Sequence, residues 1–406
     1  MKVTDSAVKD QGVKSNKSSK IQRSRYTGKI WQLTKKILLP NIKLKIPCPR
    51  KYTQNDYLKL LTYTGIHNYF AEGSSQSLRI DSSNGCPNAD TLLYHLKKFE
   101  PQELISGFES AIDEIIAIAK KNGFLTDKID IAIDSTDQLY YGDRNDPMVV
   151  GTKPQRGTSK AYRFATLTIV DEDCRLTIKA IPVDGVISKK EIVYKLVSYA
   201  KARININNVY LDRGFYSIDV ISMLKTMDIH YIIPATLNPR IKKLLRQNEA
   251  PKIINNYCIG TNPEKNTLTN VVITYGKDGK KIAFITNLDV PRLTAHRIPQ
   301  LYKKRWGIET SYRVINGFRP KTTSKNYIIR LFYFFFSVCL YDLWELVNII
   351  CSKSVQVVKK IPFITALLFG KALFHVLEII GTGPPPQNNF PKKRRDLQTI
   401  LICDRI

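Results

Sequence analysis

Glu309 is the only acid among ten lysines and arginines between Pro291 and Arg330. A solvated face would mix signs, and charge balance would not need such isolation. The stretch around it, "YKKRWGIETSYRVIN" (302–316), follows Pro299, suited to a first helical position, and precedes Gly317, suited to C′, with Pro320 beyond. Read as one helix, it puts Tyr302, Arg305, Glu309, Arg313 and Asn316 on a single face, three and four residues apart. Two readings stand. One is an exposed Arg305–Glu309 pair worth about 0.2–0.5 kcal/mol; the other is an acid presented to a polyanion among the cations that grip it.

Two further carboxylates bear on the choice. Asp134 ends the apolar alternation "KIDIAID", and Asp212 ends "NNVYLD". In open α/β sheets the carboxyl ends of the strands form the functional edge, so two parallel strands ending this way would bring both acids together. Adjacent buried carboxylates repel unless a cation neutralises them. Their hard oxygen ligands suit Mg²⁺ or Mn²⁺. A pair of such ions about 3.5–4 Å apart is a standard device for in-line attack at a phosphodiester. Glu309 could complete the cage, with Arg305 and Arg313 gripping phosphates. Asp137, Asp143 and Asp146 lie close to Asp134 and are alternative ligands, though Asp134 follows the apolar run directly. Tyr302 reads equally as core packing, and either aspartate as a turn or cap residue. His67, His95, His230, His296 and His375 have no ligand-like spacing and read as structural.

The elements that must position these residues follow from hydrophobic periodicity. Residues 1–28 are Lys/Ser-rich, poor in aromatics and read as disordered. Helical periodicity runs from about 52 to 123, with Asn88 as a cap and Gly123 as a terminator. The strand ending at Asp134 comes next, then a polar, basic loop or strand pair over 135–163. "FATLTIVDEDCRLTIKAIPV" (164–183) predicts two strands around an acidic turn at Asp171 and Asp173. An amphipathic helix, the Asp212 strand, the helix "SIDVISMLKTM" and the strand "HYIIPA" complete an α/β layout with a mixed sheet. Residues 238–290 break the rhythm with β-like runs between Gly, Asn and Asp turns and read mostly as an inserted β-rich subdomain, with a return of the last strand to the main sheet left open; helices run from about 293 to 380.

The blocks "IAIDST", "VYLDRGFY" and "YKKRWGIETSYRVIN" resemble the three acidic blocks of insertion-sequence DDE transposases. The group is the one marked by Tyr, two residues, Arg, three residues, Glu, six residues, Lys. Tyr302, Arg305 and Glu309 fall at those spacings; Asn316 stands at the Lys position, a departure. The resemblance covers roughly 130–345. It implies a ribonuclease-H-like catalytic domain interrupted by a β-rich insertion between the second Asp and the Glu. It also implies strand cleavage and transfer at transposon ends, by a dimer bound to inverted repeats. Some relatives pass through a DNA hairpin by stacking a flipped base on a Trp of the insertion. Here the insertion has no Trp, and Tyr257, Tyr275 or Phe284 could substitute, since stacking accepts any aromatic face.

Charge points the same way. The net charge is +28, with pI near 9.7, an excess that suits a polyanionic partner. Residues 1–51 carry fourteen Lys/Arg against two acids, residues 52–130 seven against eleven, and the remainder concentrates at 153–163 and 291–330. Several basic regions suit a long duplex track better than a membrane surface. The candidate DNA contacts are Lys153, Arg156, Lys160, Arg213, Tyr302, Arg305, Arg313 and Asn316. The apolar segment 327–350 is interrupted by Arg330, Asp342 and Glu345, which leaves too short a run to cross hydrocarbon, so it reads as a buried helix. The seven cysteines are scattered, without C-x-x-C, as in a reducing cytoplasm. No apolar secretory leader opens the chain.

The expectation is therefore an α/β protein: a ribonuclease-H-like mixed sheet flanked by helices, with a β-rich insertion and helical N- and C-terminal parts. Its parts would be a basic, partly disordered DNA-contacting arm (1–51) and a helical DNA-binding domain (52–128). The catalytic domain would begin at 129–237, give way to the insertion subdomain (238–290), and resume with the Glu-bearing helix (291–350). A helical region with a basic tail (351–406) would close it. The expected activity is Mg²⁺- or Mn²⁺-dependent cleavage and strand transfer, with two ions held by Asp134, Asp212 and Glu309. Its substrate would be double-stranded DNA, both terminal inverted repeats and target, bound by a homodimer on the nucleoid of a prokaryotic cytoplasm, without a membrane. The competing expectations are a decayed copy that only binds repeats, and a structure-specific nuclease of the same fold.

Overall fold

A computed structural model describes residues 26–47, 51–81, 85–143, 145–171, 174–262, 265–276, 278–289, 292–353 and 362–380. The expected arm's first half, Asp173 and the basic knot Lys392–Arg395 lie outside these residues.

The second half of the arm is not an arm. Residues 26–41 form helix α1, with a π-helical turn at Thr34–Leu38, and bury Ile30, Leu33, Ile37 and Leu38. Apolar residues at spacings of three and four give this segment a core face despite its charge. Helices α2 (Gln54–Ile66), α3 (Ala71–Asp81), α4 (Ala89–Leu96) and α5 (Pro101–Lys121) follow. Thr53 and Asp56 cap α2 reciprocally. Asn88 occupies the N-cap position of α4, and Gly123, at φ +78°, lies just past α5, where a left-handed residue ends a helix.

The first strands are β1 (Ile129–Leu139), β2 (Val149–Gln155), β3 (Thr158–Ile169) and β4 (Thr177–Val183). After helix α6 (Lys189–Lys201) come β5 (Ile206–Leu211), helix α7 (Ile218–Thr226) and β6 (His230–Pro234). Helix α8 (Pro239–Gln247) leads to β7 (Lys252–Asn262), β8 (Lys265–Tyr275) and β9 (Lys281–Thr286). All nine strands join one sheet, in the order β2-β3-β1-β5-β6-β9-β8-β7, with β4 also paired to β3. Within it, β4-β3-β1-β5-β6 is the ribonuclease-H-like core, antiparallel from β4 to β1 and parallel from β1 to β6.

The last strand of 238–290 rejoins that sheet, as the sequence allows. β9 pairs antiparallel with β6, and β8 and β7 extend the ladder outward. Val271, Val272 and Ile273 of β8 and Ala283, Phe284 and Ile285 of β9 are buried in unbroken runs, as strands covered on both faces require. Segment 135–163 resolves into the far end of β1 and the β2–β3 hairpin.

Helices α9 (Ile298–Lys303) and α10 (Trp306–Phe318) precede α11 (Tyr327–Lys353) and α12 (Ala366–Ile380). Helix α11 is the core helix that its charges foretold: 94% of its most apolar window is buried inside the fold. It packs on α5 through Phe108 against Phe332 and Phe335, and on the sheet through Phe164 stacked on Phe334 at 4.0 Å. Asp342, wholly buried there, accepts the Thr177 amide at 2.7 Å. Alternation in β1 sends Ile131 and Ile133 into this main core. Asp130, Ala132 and Asp134 share the other face, where a smaller core of Ala132, Tyr210, Ile232, Phe284, Ile298 and Ile308 sits beneath α9 and α10.

Candidate active site

Strand pairing places the two aspartates. β1 and β5 run parallel with Ile131 opposite Val209, Ala132 opposite Tyr210 and Ile133 opposite Leu211, where the pairing stops. Asp134 and Asp212 are the next residues on each strand. Asp134 is not the last residue of β1, as the sequence suggested, because β3 continues to pair with β1 to Leu139 after β5 has ended. Asp212 Oδ2 accepts the Gly214 amide at 3.3 Å, capping the short turn Arg213–Phe215.

The third acid comes from the helical side. The segment 300–316 is two helices, not one, and they meet at Lys304–Arg305. Across the join the backbone bonds are of the tighter i→i+3 kind: Lys304 to Leu301, Arg305 to Tyr302, Gly307 to Lys304 and Ile308 to Arg305. Gly317 lies inside α10, which ends at Phe318, so Gly317 is not the terminator. Two contacts hold the join to β1. The Lys304 ammonium donates to Asp130 Oδ2 at 2.6 Å, and Arg305 Nη1 donates to Asp134 Oδ2 at 3.1 Å. Arg305 Nη2 also donates to Glu309 Oε1 at 2.7 Å. The guanidinium, 8% exposed, therefore bridges two of the three acids. It is neither an exposed i,i+4 partner nor a cation held out to solvent. Burial opposes its charge, but Tyr302 and the carboxylates of Asp134 and Glu309 outweigh that and keep it firmly protonated.

Burial pushes the Asp134 carboxyl above the usual range, and the charges of Asp212 and Glu309 add to this, while the Ser135 amide and Arg305 oppose it. The Tyr302 hydroxyl donates to the Leu211 carbonyl at 3.1 Å, tying α9 to the end of β5; burial raises its pKa. Tyr312 went unnoticed in the sequence. Its hydroxyl lies 2.7 Å from Thr166 Oγ1, and Thr166 pairs with Asp134 across β1 and β3, so this ring backs the first aspartate. Asp130 was also missed, because alternation rules read a charged residue in a strand as exposed; it is 2% exposed.

The rival ligands are engaged elsewhere. Asp137 accepts a bidentate pair from Arg163 at 2.7 and 2.8 Å, Asp146 accepts the Tyr162 hydroxyl at 2.5 Å, and Asp143 accepts the Asn145 amide at 3.1 Å. His95 bonds the Lys45 carbonyl at 2.9 Å, within the helical N-terminal part.

The candidate DNA contacts fall into separate places. Tyr302 and Arg305 are in the site, and Arg213, exposed, follows Asp212. Arg313 and Asn316 are exposed further along α10. Lys153 and Arg156 are exposed on the β2–β3 hairpin, whose tip, Arg156–Gly157, has both φ angles positive (+48° and +80°) as a type I′ turn requires. That tip is nine residues up β3 from Thr166, roughly 30 Å from the acids. Lys160 is turned back, donating to the Gly142 carbonyl at 2.7 Å. Of the aromatics considered for stacking, Phe284 is buried against Tyr302 and Tyr275 is 46% exposed. Trp306, 57% exposed beside Arg305, is the large apolar surface nearest the acids along the chain.

Two Asp and one Glu form an all-oxygen donor set, which suits a hard divalent cation. Among the described residues no three His, Cys, Asp or Glu converge into a ready-made metal cage. Instead, the Arg305 guanidinium is the cation between Asp134 and Glu309. The residues fit a divalent cation in composition and charge.

A family model described as the transposase DDE domain matches residues 126–341, from just before β1 into α11. No curated protein sequence matches the chain. Among solved structures, the fold is similar to that of the piggyBac transposase in its synaptic complex with hairpin DNA. The two are 13% identical, with a TM-score of 0.55 over 85% of this chain and 77% of that one. A pre-cleavage Mos1 transpososome overlaps 47% of this chain and 61% of its own, at 10% identity and a TM-score of 0.16, too slight to bear an argument.

Proposed function

This chain belongs to the family of transposase DDE domains, and from that premise we propose that it binds the terminal inverted repeats of an insertion sequence and cleaves and transfers the strands at their ends. The observation that carries the reading is the meeting of Asp134 and Asp212 at the end of one parallel strand pair, with Glu309 linked to Asp134 through Arg305. Asp134, Asp212 and Glu309 would hold Mg²⁺ or Mn²⁺, as one ion or two. Bound there, the metal would supply Lewis-acid activation of the scissile phosphate and of the attacking hydroxyl.

The chain's own residues do the rest. Arg305, once relieved of Asp134, is placed to donate a bidentate pair to a phosphate. Tyr302 and Tyr312 wall the acids and exclude water behind them. Trp306 offers a flat face on which a base beside the scissile phosphate can stack. Arg213, Arg313 and Asn316 line the approach, and Lys153 and Arg156 extend the basic track along the hairpin. A net charge of +28 supports a duplex partner. Synapsis of two ends calls for a homodimer, with repeat and target DNA as partners on a prokaryotic nucleoid.

The test pairs a gel shift on terminal-repeat DNA with a nicking assay. Asp134→Asn, Asp212→Asn and Glu309→Gln should each bind the repeat and fail to nick it, and EDTA should stop the wild-type protein. Full nicking by any one variant removes that residue from the site; nicking by none of the four proteins, with binding intact, supports a chain that only binds.

A further inference from the structure

Asp130 lies four residues before Asp134 on the same face of β1, beneath the join of α9 and α10. Its carboxylate is 2% exposed yet fully engaged. Oδ1 accepts the side-chain amides of Asn207 and Asn208, each at 2.9 Å, and Oδ2 accepts the Tyr210 hydroxyl at 3.0 Å and the Lys304 ammonium at 2.6 Å. Lys304 also has Asp171 4.0 Å away. The Lys304 side chain is 36% exposed, so the pair is partly screened and a poor source of stability, and apolar residues of similar volume often do as well or better. A strand whose neighbours on this face are Ala132, Tyr210 and Ile232 could have carried such a residue here. The pair therefore calls for a reason other than stability.

Geometry supplies one. Lys304 and Arg305 are adjacent, yet their side chains reach points four residues apart on β1, about 13 Å. Further along α10, Tyr312 on Thr166 and Ser311 on Tyr341 hold the body of the helix, but Glu309 stands in its first turn, next to the join, where Arg305 and Lys304 are the contacts to β1. We propose that Lys304, anchored by Asp130, is a positioning residue that sets the join and the first turn of α10 and so aims Glu309 at Asp134 and Asp212. This rests on the functional reading above, because it takes Glu309 as a member of the site.

The test uses the full chain with Lys304→Met, the paired Lys304→Met/Asp130→Asn, which leaves no charge stranded, and Lys304→Arg, which keeps the cation. Melting temperature, binding of terminal-repeat DNA, nicking rate and Mn²⁺ affinity (from the electron paramagnetic resonance signal of free Mn²⁺) are measured on each. The paired variant should melt and bind DNA like the wild type, yet bind Mn²⁺ and nick about tenfold or more weakly, the usual cost of losing a partner that orients a metal ligand. Lys304→Arg should recover most of both. Wild-type Mn²⁺ affinity and nicking in the paired variant overturn the proposal, as does a loss of nicking that merely follows a fall in melting temperature with Mn²⁺ affinity unchanged. A wild-type protein that nicks no terminal-repeat DNA counts against the functional reading instead, and the Mn²⁺ comparison still decides the role of Lys304.

Discussion

Arg305→Ala separates what Arg305 does for the fold from what it does for DNA. The Arg305 guanidinium donates to Asp134 at 3.1 Å and to Glu309 at 2.7 Å. Hydrogen bonds to charged groups are each worth about 1.5–3 kcal/mol when both partners are dry. Here the Asp134 side chain is 19% exposed and that of Glu309 is 34% exposed, so solvent screens both, and a total near 2 kcal/mol is the reasonable magnitude. A loss of that size in a chain this long lowers the melting temperature by only a few degrees. An exposed helical pair would cost about 0.3–0.5 kcal/mol and pass almost unnoticed.

The pH dependence has a definite sign. Burial already pushes the Asp134 carboxyl up, and Arg305 opposes this, so removing Arg305 pushes it further. An acid with a folded pKa above its unfolded value costs stability above both, and the cost fades as pH falls through the folded value towards the unfolded one. The deficit of Arg305→Ala in EDTA should thus be largest at neutral pH and shrink on acidification. Divalent cation should offset it too, since a ligand stabilises the state that binds it. Mg²⁺ should therefore raise the melting temperature of Arg305→Ala more than that of the wild type, in which the guanidinium competes for the same carboxylates. Strand cleavage should fall by about 100-fold or more, in line with removing one preorganised electrostatic interaction. Arg305→Lys should recover little, because an ammonium cannot span two acceptors as the fork does. Wild-type cleavage together with an unchanged melting curve in EDTA would refute the bridge and the clamp alike.

Gly65→Ala should destabilise the chain by about 1–3 kcal/mol or more, as overpacking does, because its Cβ would stand 2.2 Å from the Phe318 carbonyl oxygen where α2 crosses α10; a wild-type melting temperature would show that the crossing can slide. Deleting residues 2–25, net +5 from seven Lys/Arg and two acids, should leave the melting temperature alone and flatten the salt dependence of DNA binding, by about 0.9 for each phosphate that the segment neutralises. Deleting through residue 51 should instead unfold the protein, because Ile30, Leu33, Ile37 and Leu38 are buried, and an unchanged salt slope in the shorter deletion takes that segment off the DNA. Arg156→Gly should be neutral or stabilising, since it relieves a positive φ that arginine adopts reluctantly, while weakening DNA binding; unaltered affinity would remove the hairpin tip from the interface.

The sequence disclosed those parts of the site that depend on local pattern. An apolar alternation closed by an acid marks Asp134 and Asp212, and the spacing of Tyr302, Arg305 and Glu309 marks one helical face. Register across strands is not local. The apolar run favours Asp134 over Asp137 or Asp146, but what places it beside Asp212 is the end of β5, 78 residues on by the difference of their numbers. The three strands of 238–290 and a return of the last one to the main sheet were readable, but its partner was not, because the pairing of β9 with β6 depends on an edge formed some fifty residues earlier. The break at Lys304–Arg305 was hidden for the same reason, since its causes are Asp130 and Asp134. Several departures from local rules gather here: a carboxylate inside a strand core, a buried arginine and an interrupted helix all lie on β1 or at the join of α9 and α10. Each of these departures carries a cost that packing alone would not impose, and natural sequences tend to keep such conflicts where function requires them. Their convergence is thus an argument for the site that is independent of the motif, and it includes Asp130 and Lys304, at neither of which the motif specifies a residue type.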